Sequence, residues 1–133
     1  MMDDVELFNY LQDERTDLTL KLNKVERDIA NMQKDPYRIE PMFRKLKETQ
    51  KEFKLKLDVV TDLLKEGISL DIGDKLRKKS IYYSDKVKDL DYKIRIAYVR
   101  QFSNPNWKKA VQKLEEERSN AQFKLETVKR YFK

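Results

Sequence analysis

Residues 18–53 read LTLKLNKVERDIANMQKDPYRIEPMFRKLKETQKEF, and the spacing inside that run decides the fold. Leu18, Leu22, Val25, Ile29 and Met32 recur at alternating intervals of four and three, and Phe43, Leu46, Gln50 and Phe53 at three and four. That rhythm places one narrow stripe along an α-helix that meets another helix. Between the two runs stands Lys34-Asp35-Pro36-Tyr37-Arg38, a turn marked by Asp-Pro. Antiparallel helices joined at a turn layer residues whose numbers share one sum. Met32 with Phe43, Ile29 with Leu46, Val25 with Gln50 and Leu22 with Phe53 all sum to 75, which centres the pair between Tyr37 and Arg38. Turn and register are independent signals, and they agree.

Working outward, the first seam runs back through Arg15 and Leu11 to Phe8, and the second from Ile39 on through Leu57 and Val60 to Leu64. Leu18 with Leu57 and Leu11 with Leu64 keep the same sum. Pro41 belongs in the first turn of helix 2, where a missing N–H costs little. Gly67 is the expected C′ residue of that helix, and residues 68–73 form a joint with Ser69 or Asp71 as N-cap of helix 3. The pattern resumes as Leu76, Ser80, Tyr83, Val87, Leu90, Ile94 and Ala97. After Ser103-Asn104-Pro105-Asn106 it returns as Trp107, Val111, Leu114, Arg118, Ala121, Leu125, Val128 and Phe132. Ile94 with Leu114, Leu90 with Arg118, Val87 with Ala121 and Leu76 with Phe132 all sum to 208, centred on Asn104. Asn104 is the expected N-cap of helix 4, with Pro105 at its first position. The sequence therefore predicts an all-α chain of two consecutive antiparallel coiled-coil hairpins, residues 1–66 and 67–133, in one structural unit. They pack as a four-helix bundle or extend end to end. The flanking e and g positions are mostly polar, which predicts narrow seams.

Composition fits that architecture. Of 133 residues, 41% are charged and 39% hydrophobic, with 2 Gly and 3 Pro. A compact globular domain carries only about a quarter charged residues. Cys and His are both absent, which excludes a disulfide framework and Cys or His metal sites. General acid–base chemistry near neutral pH most often uses His, and no Gly-Lys-Ser/Thr phosphate loop occurs. Asp71 and Asp74 flank Gly73 without the further ligands of a calcium loop. No enzyme activity, cofactor or metal is expected. The acidic start Met-Met-Asp-Asp-Val-Glu is unlike a signal peptide, and no apolar run approaches the roughly 18 residues of a membrane span. The expectation is a cytoplasmic protein with no membrane association. Small size, abundant Lys and Tyr and missing Cys suit an accessory protein of a phage or other virus.

Charge separates the halves. Residues 1–66 hold 13 basic and 15 acidic side chains, net −2, and residues 67–133 hold 17 and 9, net +8. Lys75 to Arg100 alone carries nine basic residues against Asp85, Asp89 and Asp91. The same helix has apolar residues off its seam, Ile81, Tyr82, Tyr92, Ile96 and Val99, so it is expected to meet something besides helix 4. The candidate surface is Tyr82, Lys86, Lys88, Tyr92, Lys93, Arg95, Ile96, Tyr98, Val99 and Arg100, extended by Lys108 and Lys109. Two readings follow. In the first, the protein is a coiled-coil assembly or adaptor protein that forms a homo-oligomer and docks a protein partner on helix 3. In the second, it is a nucleic-acid-binding accessory factor, with lysines on phosphates and tyrosines stacking on unpaired bases. An acidic helix 1, net −3 over residues 3–34, is a further match for basic helix 3, within a chain or between copies. Arg15, Gln50, Ser80 and Arg118 interrupt the seams. Such residues most often fix register and oligomer state, while the arginines also invite a carboxylate from a partner.

Overall fold

The computed structural model describes residues 3–65, 72–100, 103 and 105–131. Its order is α1 (Asp4–Gln33), α2 (Glu40–Leu64), α3 (Ile72–Val99) and α4 (Trp107–Tyr131), with no strand among the described residues. At 1.5 Å per residue these helices are about 38–45 Å long. The all-α hairpin architecture read from the heptads is the one observed: α1 packs along α2, and α3 along α4. Backbone contacts gather into two units, Met1–Gly73 and Asp74–Lys133.

In the first unit α1 starts where its chemistry says it should. Asp3 is the N-cap, its Oδ1 accepting the Glu6 N–H at 2.8 Å, and Asp4 and Glu6 place negative charge at the positive end of the helix dipole. The turn is held by side chains. Asp35 Oδ1 accepts the Tyr37 N–H at 2.9 Å, which is the Asx geometry that Asp before Pro favours. Arg38 donates to the Gln33 carbonyl at 3.3 Å and to Glu40 at 2.8 Å. Ile39 caps α2 with Pro41 in its first turn. Val25, Ile29 and Phe43 form one buried cluster, with Met32, Leu46 and Phe53 packed against it. This is the layer set that the sum of 75 specifies. Phe43 also lies between two cations, Arg38 at 4.7 Å and Lys47 at 4.6 Å from its ring centroid.

The first contact unit runs on into the start of α3. Ile72 is fully buried, and the Gly73 N–H donates to Asp4 Oδ1 at 3.2 Å. A Cβ on Gly73 would come within 2.8 Å of that oxygen. The first residues of α3 thus satisfy an otherwise unpaired helix-start N–H with a carboxylate from α1. The expected caps Gly67, Ser69 and Asp71 lie outside the described residues.

The second unit keeps the other register. Val87, Leu90 and Ala121 form a buried cluster with Leu114 against it, as the sum of 208 requires. The start of α4 differs from expectation. The helix begins at Trp107, and the Asn106 carbonyl accepts the Ala110 N–H at 3.2 Å. That first helical hydrogen bond puts Asn106 in the N-cap place and leaves Pro105 in the turn. Asn104, the expected cap, and Phe132, the expected last seam residue, lie outside the described residues, while Tyr131 is buried. The buried bands are also wider at the helix ends than a narrow seam: Leu7, Val59, Leu63 and Thr127, each one position before a seam residue, are buried as well. Thr127 satisfies its hydroxyl by donating to the Phe123 carbonyl at 2.9 Å.

Candidate partner-docking surface

Helix α3 presents its candidate residues in separate groups, because each residue turns the helix by about 100°. Val87, Leu90, Tyr83 and Leu76 face the core and are buried. Lys86, Lys93, Arg100 and Tyr82 fall on one outer edge. Lys88, Tyr92, Arg95, Val99 and Ile81 fall on the other, with the half-buried Ile96 between the two edges. The ten candidate positions, nine in α3 and Arg100 directly after it, are therefore not one patch.

The first edge is organised around Tyr82. Its ring makes an edge contact with Tyr83, centroids 5.3 Å apart. Lys79 and Lys86 hold their ammonium groups 5.5 and 5.9 Å from its centroid. Lys93 pairs with Asp89 one turn back at 3.0 Å, so part of its charge is already answered. At the start of the helix Arg77 bonds Asp74 at 2.6 Å, and this hydrogen bond, then the guanidinium charge, lowers the Asp74 pKa.

The second edge is chemically simpler. Ile81, Tyr92 and Val99 are exposed, as are Lys88 and Arg95. Tyr98 belongs to neither edge. Its ring packs on Trp107 of α4, centroids 5.8 Å apart, and its hydroxyl reaches Glu115 at a long 3.4 Å. It helps close the hairpin. Lys108 lies over Trp107 at 5.8 Å, whereas Lys109 is simply exposed in the first turn of α4.

The seam polar residues also divide. Arg118 Nε donates to Asp91 Oδ1 across the hairpin, so its carboxylate comes from α3. Asp91 follows Leu90, the residue that the constant sum pairs with Arg118, and that adjacency was a usable signal. Gln50 and Ser80 are half-buried, and Arg15 is exposed. The roles of Lys79, Asp91 and Glu115 beside the candidate residues were not expected. Away from α3, a shallow groove on the first hairpin is lined by Met32, Met42 and Leu46 with Asp28 and Lys45 at its rim, and none of the expected site residues lines it.

Among the described residues no group of His, Cys, Asp and Glu is arranged to hold a metal ion, and no helix is long and apolar enough to cross a membrane. No family model, curated protein or solved structure matches this chain.

Proposed function

We propose that this chain is a non-catalytic helical assembly or adaptor protein that self-associates and docks a protein partner on α3. One observation carries the reading. Apart from Tyr98, which packs on Trp107, α3 exposes the large apolar residues Ile81, Tyr82, Tyr92 and Val99, whereas α4, its companion in the hairpin, has none among the described residues. Scattered exposed apolar side chains are ordinary on a protein surface; a helix that gathers four of them while its neighbour gathers none supports a docking role for that helix. Association with a second copy would add to the apolar area that each hairpin buries.

The nucleic-acid reading keeps one specific support, the placement of Lys79 and Lys86 around Tyr82. Light scattering across a concentration series, combined with titration of single- and double-stranded DNA and RNA at two salt concentrations, separates the two. The assembly reading expects an oligomer and no salt-steep nucleic-acid binding. A strict monomer counts against it. Binding that falls steeply with salt and is lost on changing Lys88, Lys93 and Arg95 to Glu replaces it with the second reading.

A further inference from the structure

We infer that the partner seated on α3 is an acidic amphipathic helix, lying along the edge formed by Ile81, Lys88, Tyr92, Arg95 and Val99. The inference rests on the docking role proposed for α3 and names the chemistry of the occupant.

Spacing is the first argument. Ile81, Asp85, Lys88, Tyr92, Arg95 and Val99 follow intervals of four, three, four, three and four. Unlike the hairpin seams, this row mixes its apolar residues Ile81, Tyr92 and Val99 with the charged Asp85, Lys88 and Arg95. Side chains three and four apart form one continuous row, so a partner helix lying along it meets both kinds of contact. From Ile81 to Val99 the row spans about 27 Å, five turns of contact.

Exposure is the second. Ile81 is 62% exposed, Tyr92 61% and Val99 80%. Two of these three are aliphatic. Aliphatic side chains gain from leaving water against another apolar row, whereas they give a base nothing to stack on. This favours a helix over a nucleic acid on this edge. The first edge, with Tyr82 and its two lysines, carries one exposed aromatic and no aliphatic residue.

Charge is the third. Lys88 and Arg95 alternate with the apolar residues, and neither is in an ion pair among the described residues. Asp85 is the one acidic residue in the row. A basic partner helix would bring like charges together, while an acidic one pairs with both. A helix-in-groove partner is read by its anchors and its flanking charges, and here both are specified.

The test uses the full chain and a labelled synthetic helix of roughly three heptads, with Leu at a and d and Glu at e and g. Fluorescence anisotropy follows its binding, beside a version carrying Lys for Glu and a labelled oligothymidine strand. The expected result is binding of the Glu helix only. The Lys88→Glu, Arg95→Glu double variant should weaken it at least about tenfold, and Val99→Asp should weaken it too. Arg44→Glu, at an exposed position of α2, should leave it unchanged, and circular dichroism confirms that each exposed substitution keeps the helical fold. Failure of the Glu helix to bind, or binding indifferent to the Ile81–Val99 edge, overturns the inference. So does oligothymidine binding that the double variant abolishes. Light scattering on the same samples keeps the outcomes apart: an oligomer that persists when the Glu helix fails leaves the assembly role standing without this partner.

Discussion

The two hairpins are built on the same seam rhythm yet end differently. Near its turn the first closes over a buried Phe43, 5% exposed, set between Arg38 and Lys47. The second closes with Tyr98 leaning on a half-exposed Trp107. Outer surfaces diverge further. The first hairpin is nearly neutral, and its exposed large apolar residues are dispersed over α1, the turn and α2. The second concentrates charge and exposed apolar residues on α3. A heptad seam uses only two positions in seven, so the fold is specified by a minority of residues and the other faces are free to specialise. Residues 3–65 scatter Val5, Tyr10, Leu20, Tyr37, Ile39 and Met42 over two helices and a turn, whereas Ile81, Tyr82, Tyr92 and Val99 are exposed on the single helix α3.

The largest expected effect tests the difference in closure. Phe43→Ala removes a buried aromatic ring and should cost about 3 kcal/mol. Trp107→Ala, at a half-exposed ring, should cost about 1–1.5 kcal/mol, in proportion to the smaller area returned to water. Urea unfolding followed by circular dichroism measures both. Equal costs would mean that the two turns are closed with equal strength, and the contrast between the hairpins would shrink to their outer faces.

A smaller effect sharpens the contrast between the two seam arginines. Arg118 is half-buried and paired with Asp91, whereas Arg15 is exposed with no ion-pair partner among the described residues. Arg118→Ala loses the pair and the packing of its stem, about 1 kcal/mol together. Arg15→Ala should stay within about 0.5 kcal/mol of the parent. A double-mutant cycle on Arg118 and Asp91 should return a coupling of about 0.5 kcal/mol that fades at high salt, since both side chains remain more than a third exposed. A large penalty at Arg15 would break the distinction and point to a carboxylate supplied by another chain.

The seam was legible because it is periodic and redundant. Met32, Phe43, Ile29 and Leu46 each constrain the same register, so one misread position does not disturb it. Helix starts were less legible. Asn104-Pro105 and Asn106 offer competing caps within three residues, and the observed choice depends on which carbonyl reaches Ala110, a geometric fact that residue types do not encode. Asp4 on the Gly73 N–H was out of reach for the same reason: its partner is 69 positions away and no periodicity links them. For the candidate surface, composition identified the helix but not its division into edges. Tyr82 and Tyr92 look alike in sequence, and Tyr98 looks like both. Only the 100° step and the position of α4 send Tyr98 to Trp107 and leave Tyr92 exposed.

The smallest expected effect sets the start of α4 against the start of α1. Helix α1 opens with Asp4 and Glu6 behind an Asp3 cap, while α4 opens Trp107-Lys108-Lys109 with no acidic residue in its first turn. Two ammonium groups at the positive end of a helix dipole work against the fold. Lys109→Glu should therefore stabilise the chain by about 0.5 kcal/mol at low ionic strength, and by less in high salt. Urea midpoints at two salt concentrations measure it. The sign matters more than the size. If Lys109 contributes to drawing an acidic partner toward α3, the same substitution should weaken the Glu helix while strengthening the fold, opposite directions that a purely structural lysine would not produce. A gain in stability with unchanged affinity would confine the docking surface to α3 itself.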